Sequence, residues 1–298
     1  MNLGSILTAM ITPFDERGNL NAAEAGRIAK WLVDRGNDGL VVAGSTGEGQ
    51  TLDTQERVEL WSAVKEAVNG RASVIANAGS NDTRDSVKQT QAAEKAGADA
   101  ILAVVPYYNK PTQSGMLAHF GAIAQATNLP VIIYNIPGRT AANMTPATLL
   151  ELARKHKNIA GVKESSGDLM QIGTILADRA PGFLVYAGDD HLFLPCLAMG
   201  ADGVVGVASH LCAQEYRKMM QFFADGDVAQ AAEIHLKLLP LIAGLFCTTN
   251  PIGVKFAMRE LGFATGECRL PLDPISPSAA GVISKLLDTY RPLAHSRV

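Results

Sequence analysis

Charge is scarce in this sequence. Of its 298 residues, 26 are Lys or Arg and 29 are Asp or Glu, or 18% charged, where a soluble chain of this length carries about 75 charges at roughly 25%. With 47% apolar residues, such a composition excludes intrinsic disorder. The shortfall of about 20 charges points to surface covered by other subunits. The sequence has no extended basic run, and its net charge is -3 with a pI of about 6.1, which argues against nucleic acid as a partner. None of the four cysteines (Cys196, Cys212, Cys247, Cys268) forms a C-x-x-C pair, so zinc-ribbon and thioredoxin-type readings fail. They read as small buried apolar residues in a reducing cytosol.

Other signatures are missing too. The six histidines show no H-E-x-x-H or other metal spacing. No G-x-S-x-G hydrolase elbow occurs. The first strand leads into Ala9-Met10-Ile11-Thr12-Pro13, with no glycine-rich dinucleotide fingerprint. The longest clean apolar run, Leu238 to Cys247, contains Pro240 and falls far short of a membrane span. Met1 to Arg17 has no basic residue before Arg17 and holds Asp15 and Glu16, so it does not read as a signal peptide.

What is present is a repeating texture. Eight short apolar runs are Ser5–Ala9, Gly39–Ala43, Ser73–Asn77, Ala100–Val105, Pro130–Asn135, Ile159–Glu164, Leu184–Ala187 and Gly203–Val207. Their starts lie roughly 20 to 34 residues apart, the size of a βα unit. Continuous apolar character suits parallel strands buried on both faces. Helical periodicity fills the gaps, as in Ala25, Ile28, Ala29, Leu32 and Val33. Asp53 with Glu56 reads as a capping box, and Thr145-Pro146 and Ser276-Pro277 read as helix starts. Eight such units predict an α/β (β/α)8 TIM barrel over residues 1–226. Residues 227–298 read as a C-terminal helical extension, with helices over Asp227–Leu239, Pro251–Gly262 and Pro277–Tyr290.

A barrel of this kind places its active site at the carboxyl ends of the strands. Lys163 ends the sixth run. Burial there disfavours its charged form, and a neutral amine forms Schiff bases with carbonyls; a lysine paired with a barrel carboxylate fits the pattern equally well. Tyr134 ends the fifth run, as a core aromatic or as a proton carrier beside the lysine. Gly44-Ser45-Thr46-Gly47-Glu48 follows the second run, as an ordinary turn or as a loop whose N–H groups hold a carboxylate. Tyr107 and Tyr108 sit between prolines after the fourth run. Arg139 follows Tyr134, solvated or poised for bidentate capture of a carboxylate. Asp189 and Asp190, after Gly188, read as caps of the next helix.

Taken together, Gly44-Ser45-Thr46-Gly47-Glu48, Tyr134-Asn135-Ile136-Pro137 and Gly161-Val162-Lys163-Glu164 resemble the pyruvate-dependent class I Schiff-base aldolase family that contains the dihydrodipicolinate synthases and the N-acetylneuraminate lyases. Gly138-Arg139-Thr140, Pro106-Tyr107-Tyr108-Asn109-Lys110-Pro111 and Asn250-Pro251-Ile252 are similar to the synthase branch. The resemblance implies that Lys163 forms an imine with pyruvate, that Tyr134, Ser45 and Tyr108 relay protons, and that Tyr108 reaches into a neighbouring subunit's site. It implies that Thr46 and its loop amides hold the pyruvate carboxylate, that Arg139 holds the carboxylate of aspartate semialdehyde, and that Gly188 and Val205 shape the site through backbone atoms. It also implies a cytoplasmic homotetramer, a dimer of dimers, with no metal or organic cofactor and no membrane partner, acting in lysine and diaminopimelate biosynthesis. The alternatives are an aldolase of a sugar-derived 2-keto acid, of 2-keto-3-deoxygluconate or N-acetylneuraminate type, and a non-catalytic barrel. Ser45 departs from the Thr-Thr of many synthases and is common in the sugar-acid branches. Asn81 and Tyr107 match the family's lysine-feedback site, but Thr54, Arg57 and Asp85 stand where sensitive relatives often carry His, His and Glu, which implies weak or absent lysine inhibition.

Overall fold

The computed structural model describes residues 3–294. Eight strands, β1 (Ile6–Ala9), β2 (Gly39–Val42), β3 (Ser73–Asn77), β4 (Ala100–Val104), β5 (Val131–Asn135), β6 (Ile159–Glu164), β7 (Leu184–Ala187) and β8 (Gly203–Gly206), pair in parallel in sequence order and close into a barrel. The seam joins β1 to β8, with Leu7 opposite Val205 and Thr8 opposite Gly206. All eight expected runs are strands, each end agreeing within one residue.

Strand side chains alternate between two layers. Leu7, Val41, Ile75, Leu102, Ile132 and Val205 fill the barrel interior. Ile6, Leu40, Val42, Ile101 and Ile133 face the surrounding helices. Both layers are apolar, which is why the runs carry no polar alternation. The helices begin where the sequence signals them. Asp53 and Glu56 form a reciprocal capping box, and Thr145 caps a helix with Pro146 in its first turn. The Ser276 hydroxyl accepts the N–H of Ala279.

Beyond the helix Ser209–Ala224, three helices cover residues Val228–Leu245, Ile252–Glu260 and Pro277–Ala294. The first extends past its expected end at Leu239 and runs through Pro240. A proline removes one helical hydrogen bond. The carbonyl it strands belongs to Leu236, a residue on the exposed side of the helix. Among the described residues this is the one helix long and apolar enough to cross a membrane by length and composition. Its Ala231, Leu238, Leu241 and Ile242 are buried in the protein core. Residues 295–298 of the expected extension lie outside the described residues.

All four cysteines are free thiols. Cys196 and Cys212 are buried as expected, but Cys247 is exposed and Cys268 half-buried. Cys247 lies in the turn just beyond the helix ending at Leu245, where no packed layer covers it.

Candidate active site

The position of Lys163 depends on an irregularity in β6. Ala160 faces the barrel interior, so strict alternation would turn Lys163 outward. Val131 pairs with Ile159, but Ile132 pairs with Gly161, so β6 takes up one extra residue. Such a bulge re-aims the side chains that follow it. Lys163 therefore stands opposite Tyr134 on one side and Tyr186 on the other, both inward-facing. Gly161 permits this close passage, since a Cβ there would lie 2.5 Å from the Leu184 carbonyl oxygen.

Lys163 is 5% exposed, and its Nζ sits 4.3 Å from the centre of the Tyr134 ring. It forms no ion pair among the described residues, so pairing with a barrel carboxylate is not its role. The adjacent acid, Glu164, faces away and is committed elsewhere. It accepts hydrogen bonds from Asn135 Nδ2, the Ser166 N–H and Gln171 Nε2, while burial pushes its carboxyl up from the usual carboxylate range. The Tyr134 hydroxyl makes no hydrogen bond to the described residues, although the residue is only 5% exposed.

A cavity of about 340 Å3 joins these groups. Its walls include Lys163, Tyr134, Ser45, Thr46, Arg139, Gly188, Asp189 and Asn250. A second hollow of about 290 Å3 shares Ser45, Arg139 and Asn250 and adds Tyr107. Lys163, Tyr134, Ser45, Thr46, Arg139 and Gly188 are thus brought together from the ends of β2, β5, β6 and β7.

The loop after β2 is rigidly folded. Ala43 and Glu48 have left-handed backbone. Gly49 lets the chain double back, because a Cβ there would lie 1.9 Å from the Ala43 carbonyl oxygen. The Thr12 hydroxyl donates to the Gly47 carbonyl at 2.6 Å. The N–H groups of Ser45, Thr46 and Gly47 have no acceptor among the described residues. They form the kind of amide nest that binds a carboxylate.

Two residues of the C-terminal extension lock this loop, and only one of them stood out in the sequence. Asn250 Nδ2 donates to Thr46 Oγ1 at 2.9 Å, which leaves the Thr46 hydroxyl proton free to donate elsewhere. Lys255 Nζ lies 2.7 Å from Glu48 Oε1, with both side chains almost fully buried. The Lys255 ammonium also donates to the Glu267 carbonyl and lies 4.2 Å from the Phe14 ring centre. Burial lowers the Lys255 pKa, and Glu48 opposes that shift. No local motif marks this pair, because its members are 207 positions apart.

Four expected residues lie apart from the cavity wall or do a different job. Val205 lies in the barrel interior, and Val207, two residues on, reaches the cavity. Tyr108 is 89% exposed with φ +72°, a strained conformation for a bulky residue. Neither Asp189 nor Asp190 caps the short helical turn Asp190–Leu192 with its side chain. Asp190 instead accepts from the N–H groups of Val207 and Ala208 and from the Tyr216 hydroxyl, which ties β7 to the segment after β8. Asp189 makes no side-chain hydrogen bond to the described residues. Its carboxyl is pushed up by burial and drawn back down by Lys163.

A closed parallel barrel with a buried lysine at a strand end, a tyrosine over it and an amide nest beside it defines a class I aldolase-type lyase. The chain belongs to the dihydrodipicolinate synthetase family, whose model matches residues 2–289. It is similar to the 4-hydroxy-tetrahydrodipicolinate synthases of Microcystis aeruginosa, 50% identical over 95% of this chain and 96% of that protein, and of Bacillus subtilis, 47% identical over 96% and 100%. Among solved structures, dihydrodipicolinate synthase from Cyanidioschyzon merolae, crystallised with lysine bound, is 43% identical with a TM-score of 0.95, covering 97% of this chain and 98% of that one.

Proposed function

We propose that this enzyme condenses pyruvate with L-aspartate 4-semialdehyde to give 4-hydroxy-tetrahydrodipicolinate. The observation that carries the reading is the bulge-directed placement of Lys163 beside Tyr134 in a cavity that also holds Arg139 and the amide nest. Lys163 attacks the pyruvate carbonyl, and loss of water gives an imine. The imine withdraws electrons and acidifies the pyruvate methyl group, so loss of a proton gives an enamine. The enamine attacks the aldehyde. The amine of the second substrate then displaces Lys163 and closes the ring. Tyr134, Ser45 and Tyr108 move the protons. Thr46 and the nest hold the pyruvate carboxylate, and Arg139 holds the other carboxylate. Gly188 shapes the wall, because a Cβ there would collide with Ser165 Oγ and the Glu164 carbonyl; Val205 lies in the barrel interior beneath Val207, which reaches the cavity. Within this reading residues 1–226 carry the site, and residues 227–298 brace it through Asn250 and Lys255.

Turnover should be seen with aspartate semialdehyde and pyruvate, and not with 2-keto-3-deoxygluconate or N-acetylneuraminate. Cleavage of either sugar acid at a comparable kcat/KM would overturn the substrate assignment.

We further propose a cytoplasmic homotetramer. Tyr108, Met170 and Leu270 are strongly exposed and Leu169 and Met199 partly so, and Met199 packs beside Gly173 on the helix that carries Met170. Large exposed apolar side chains of this kind mark contact surfaces. Backbone strain at an exposed tyrosine fits a residue set for function, here in a neighbour's site. Tyr108→Phe is expected to lower kcat by roughly 10- to 100-fold while pyruvate still forms its imine; full activity in this variant would remove Tyr108 from the relay.

Lysine is expected to inhibit weakly or not at all. Arg57 is buried and donates to the carbonyls of Leu52, Asn77 and Gly49, so a fixed cation stands near Tyr107 and Asp85 and opposes a second ammonium. Inhibition by sub-millimolar lysine in a coupled assay would show otherwise.

A further inference from the structure

Three charged side chains line the Lys163 cavity: Lys163, Arg139 and Asp189. The two substrates of the proposed reaction bring two carboxylates and one ammonium group. The amide nest with Thr46 serves one carboxylate, and Arg139 serves the other. The ammonium needs an anion. Glu48 borders the neighbouring hollow, but its carboxylate is bound by Lys255 and by the Arg269 N–H. Glu164 and Asp190 are occupied by the hydrogen bonds described above. Asp189 remains as the one carboxylate in the cavity wall without a hydrogen-bonding partner among the described residues.

From this placement, and resting on the function proposed above, we infer that Asp189 receives the ammonium group of the amino aldehyde and so determines specificity for the second substrate. The topology supports the assignment. Asp189 follows the end of β7, which pairs directly with β6, and Lys163 stands opposite Tyr186 across that pair. The substrate nitrogen must reach the imine carbon on Lys163 for the ring to close, so its binding group has to stand beside the lysine. The Asp189 carboxyl feels the Lys163 charge. Arg139 approaches from the end of β5, on the other side of β6, so the carboxylate and ammonium of one short molecule meet opposite charges across the cavity. The other buried unpartnered acceptors at this cavity, Asn250 Oδ1 and Ser165 Oγ, belong to a neutral amide and a neutral hydroxyl and offer no charge to balance an ammonium.

The test compares aspartate semialdehyde with succinic semialdehyde, which keeps the aldehyde and the carboxylate but lacks the ammonium. Asp189→Asn is expected to raise the KM for aspartate semialdehyde by at least ~30-fold, the effect of unpairing a partly buried charge. Inhibition by succinic semialdehyde and borohydride trapping of pyruvate on Lys163 should stay as in the wild type, which also shows that the variant folds. Asp189→Glu should recover part of the loss. An unchanged KM in Asp189→Asn, or equal weakening toward both aldehydes, would overturn the assignment. A wild-type enzyme that traps pyruvate but does not consume aspartate semialdehyde would instead overturn the substrate reading on which the assignment rests.

Discussion

Lys163→Ala is expected to lower kcat by at least ~1000-fold, about 4 kcal/mol of transition-state stabilisation. The reason is chemical. Without the amine there is no imine, and without the imine the pyruvate methyl group has no electron sink to acidify it. No other lysine can substitute. Lys163 is the only lysine in the cavity wall, and Lys255, the nearest buried alternative in the sequence, is held by Glu48 at 2.7 Å. The loss should fall on kcat, because Arg139, Thr46 and the loop amides, which we propose hold the substrates, remain. Thermal stability should be preserved or improved, since Lys163 makes no ion pair among the described residues and its burial is costly. A variant that keeps a tenth or more of the wild-type kcat would mean that the chemistry does not pass through this amine.

Tyr134→Phe is the second large effect, with an expected loss in kcat of roughly 100- to 1000-fold. The substitution separates the two things this residue offers. Its ring face packs against the Lys163 ammonium, with Nζ 4.3 Å from the ring centre, and phenylalanine keeps that contact. Its hydroxyl makes no hydrogen bond to the described residues and is free to carry a proton. Removing the hydroxyl alone should slow imine formation and the later proton transfers, leaving the fold and the KM for pyruvate nearly intact. A fall in stability equal to the fall in rate would indicate a structural tyrosine; a wild-type rate would remove it from the relay.

The contrast between what the sequence makes visible and what it hides follows from the range of each interaction. The eight strands are legible because parallel strands covered on both faces need unbroken apolar runs. The capping box at Asp53 and Glu56 is legible because all of its atoms lie within four residues. The Glu48–Lys255 pair is invisible because nothing local marks Lys255, and only the folded chain brings it to Glu48, 207 positions away. The bulge at Ala160 is nearly invisible: a glycine inside a strand is its single trace, yet it decides whether Lys163 faces the site or the helices. Asp189 and Asp190 look alike in sequence, since both could cap a helix. Tertiary contacts separate them, giving Asp190 three donors from the segment beyond β8 and Asp189 none. Pro240 misleads in the other direction: the helix runs through it, at the loss of one backbone hydrogen bond.

The central claim is that Lys163 carries pyruvate as a covalent imine, and the most direct measurement is reductive trapping. The protein is incubated with pyruvate and borohydride, digested, and its peptides mapped by mass spectrometry. One reduced pyruvyl group is expected on the peptide containing Gly161-Val162-Lys163-Glu164, dependent on pyruvate and lost in Lys163→Ala. A protein that stays unmodified under these conditions, or that carries the adduct on a different lysine, would contradict it.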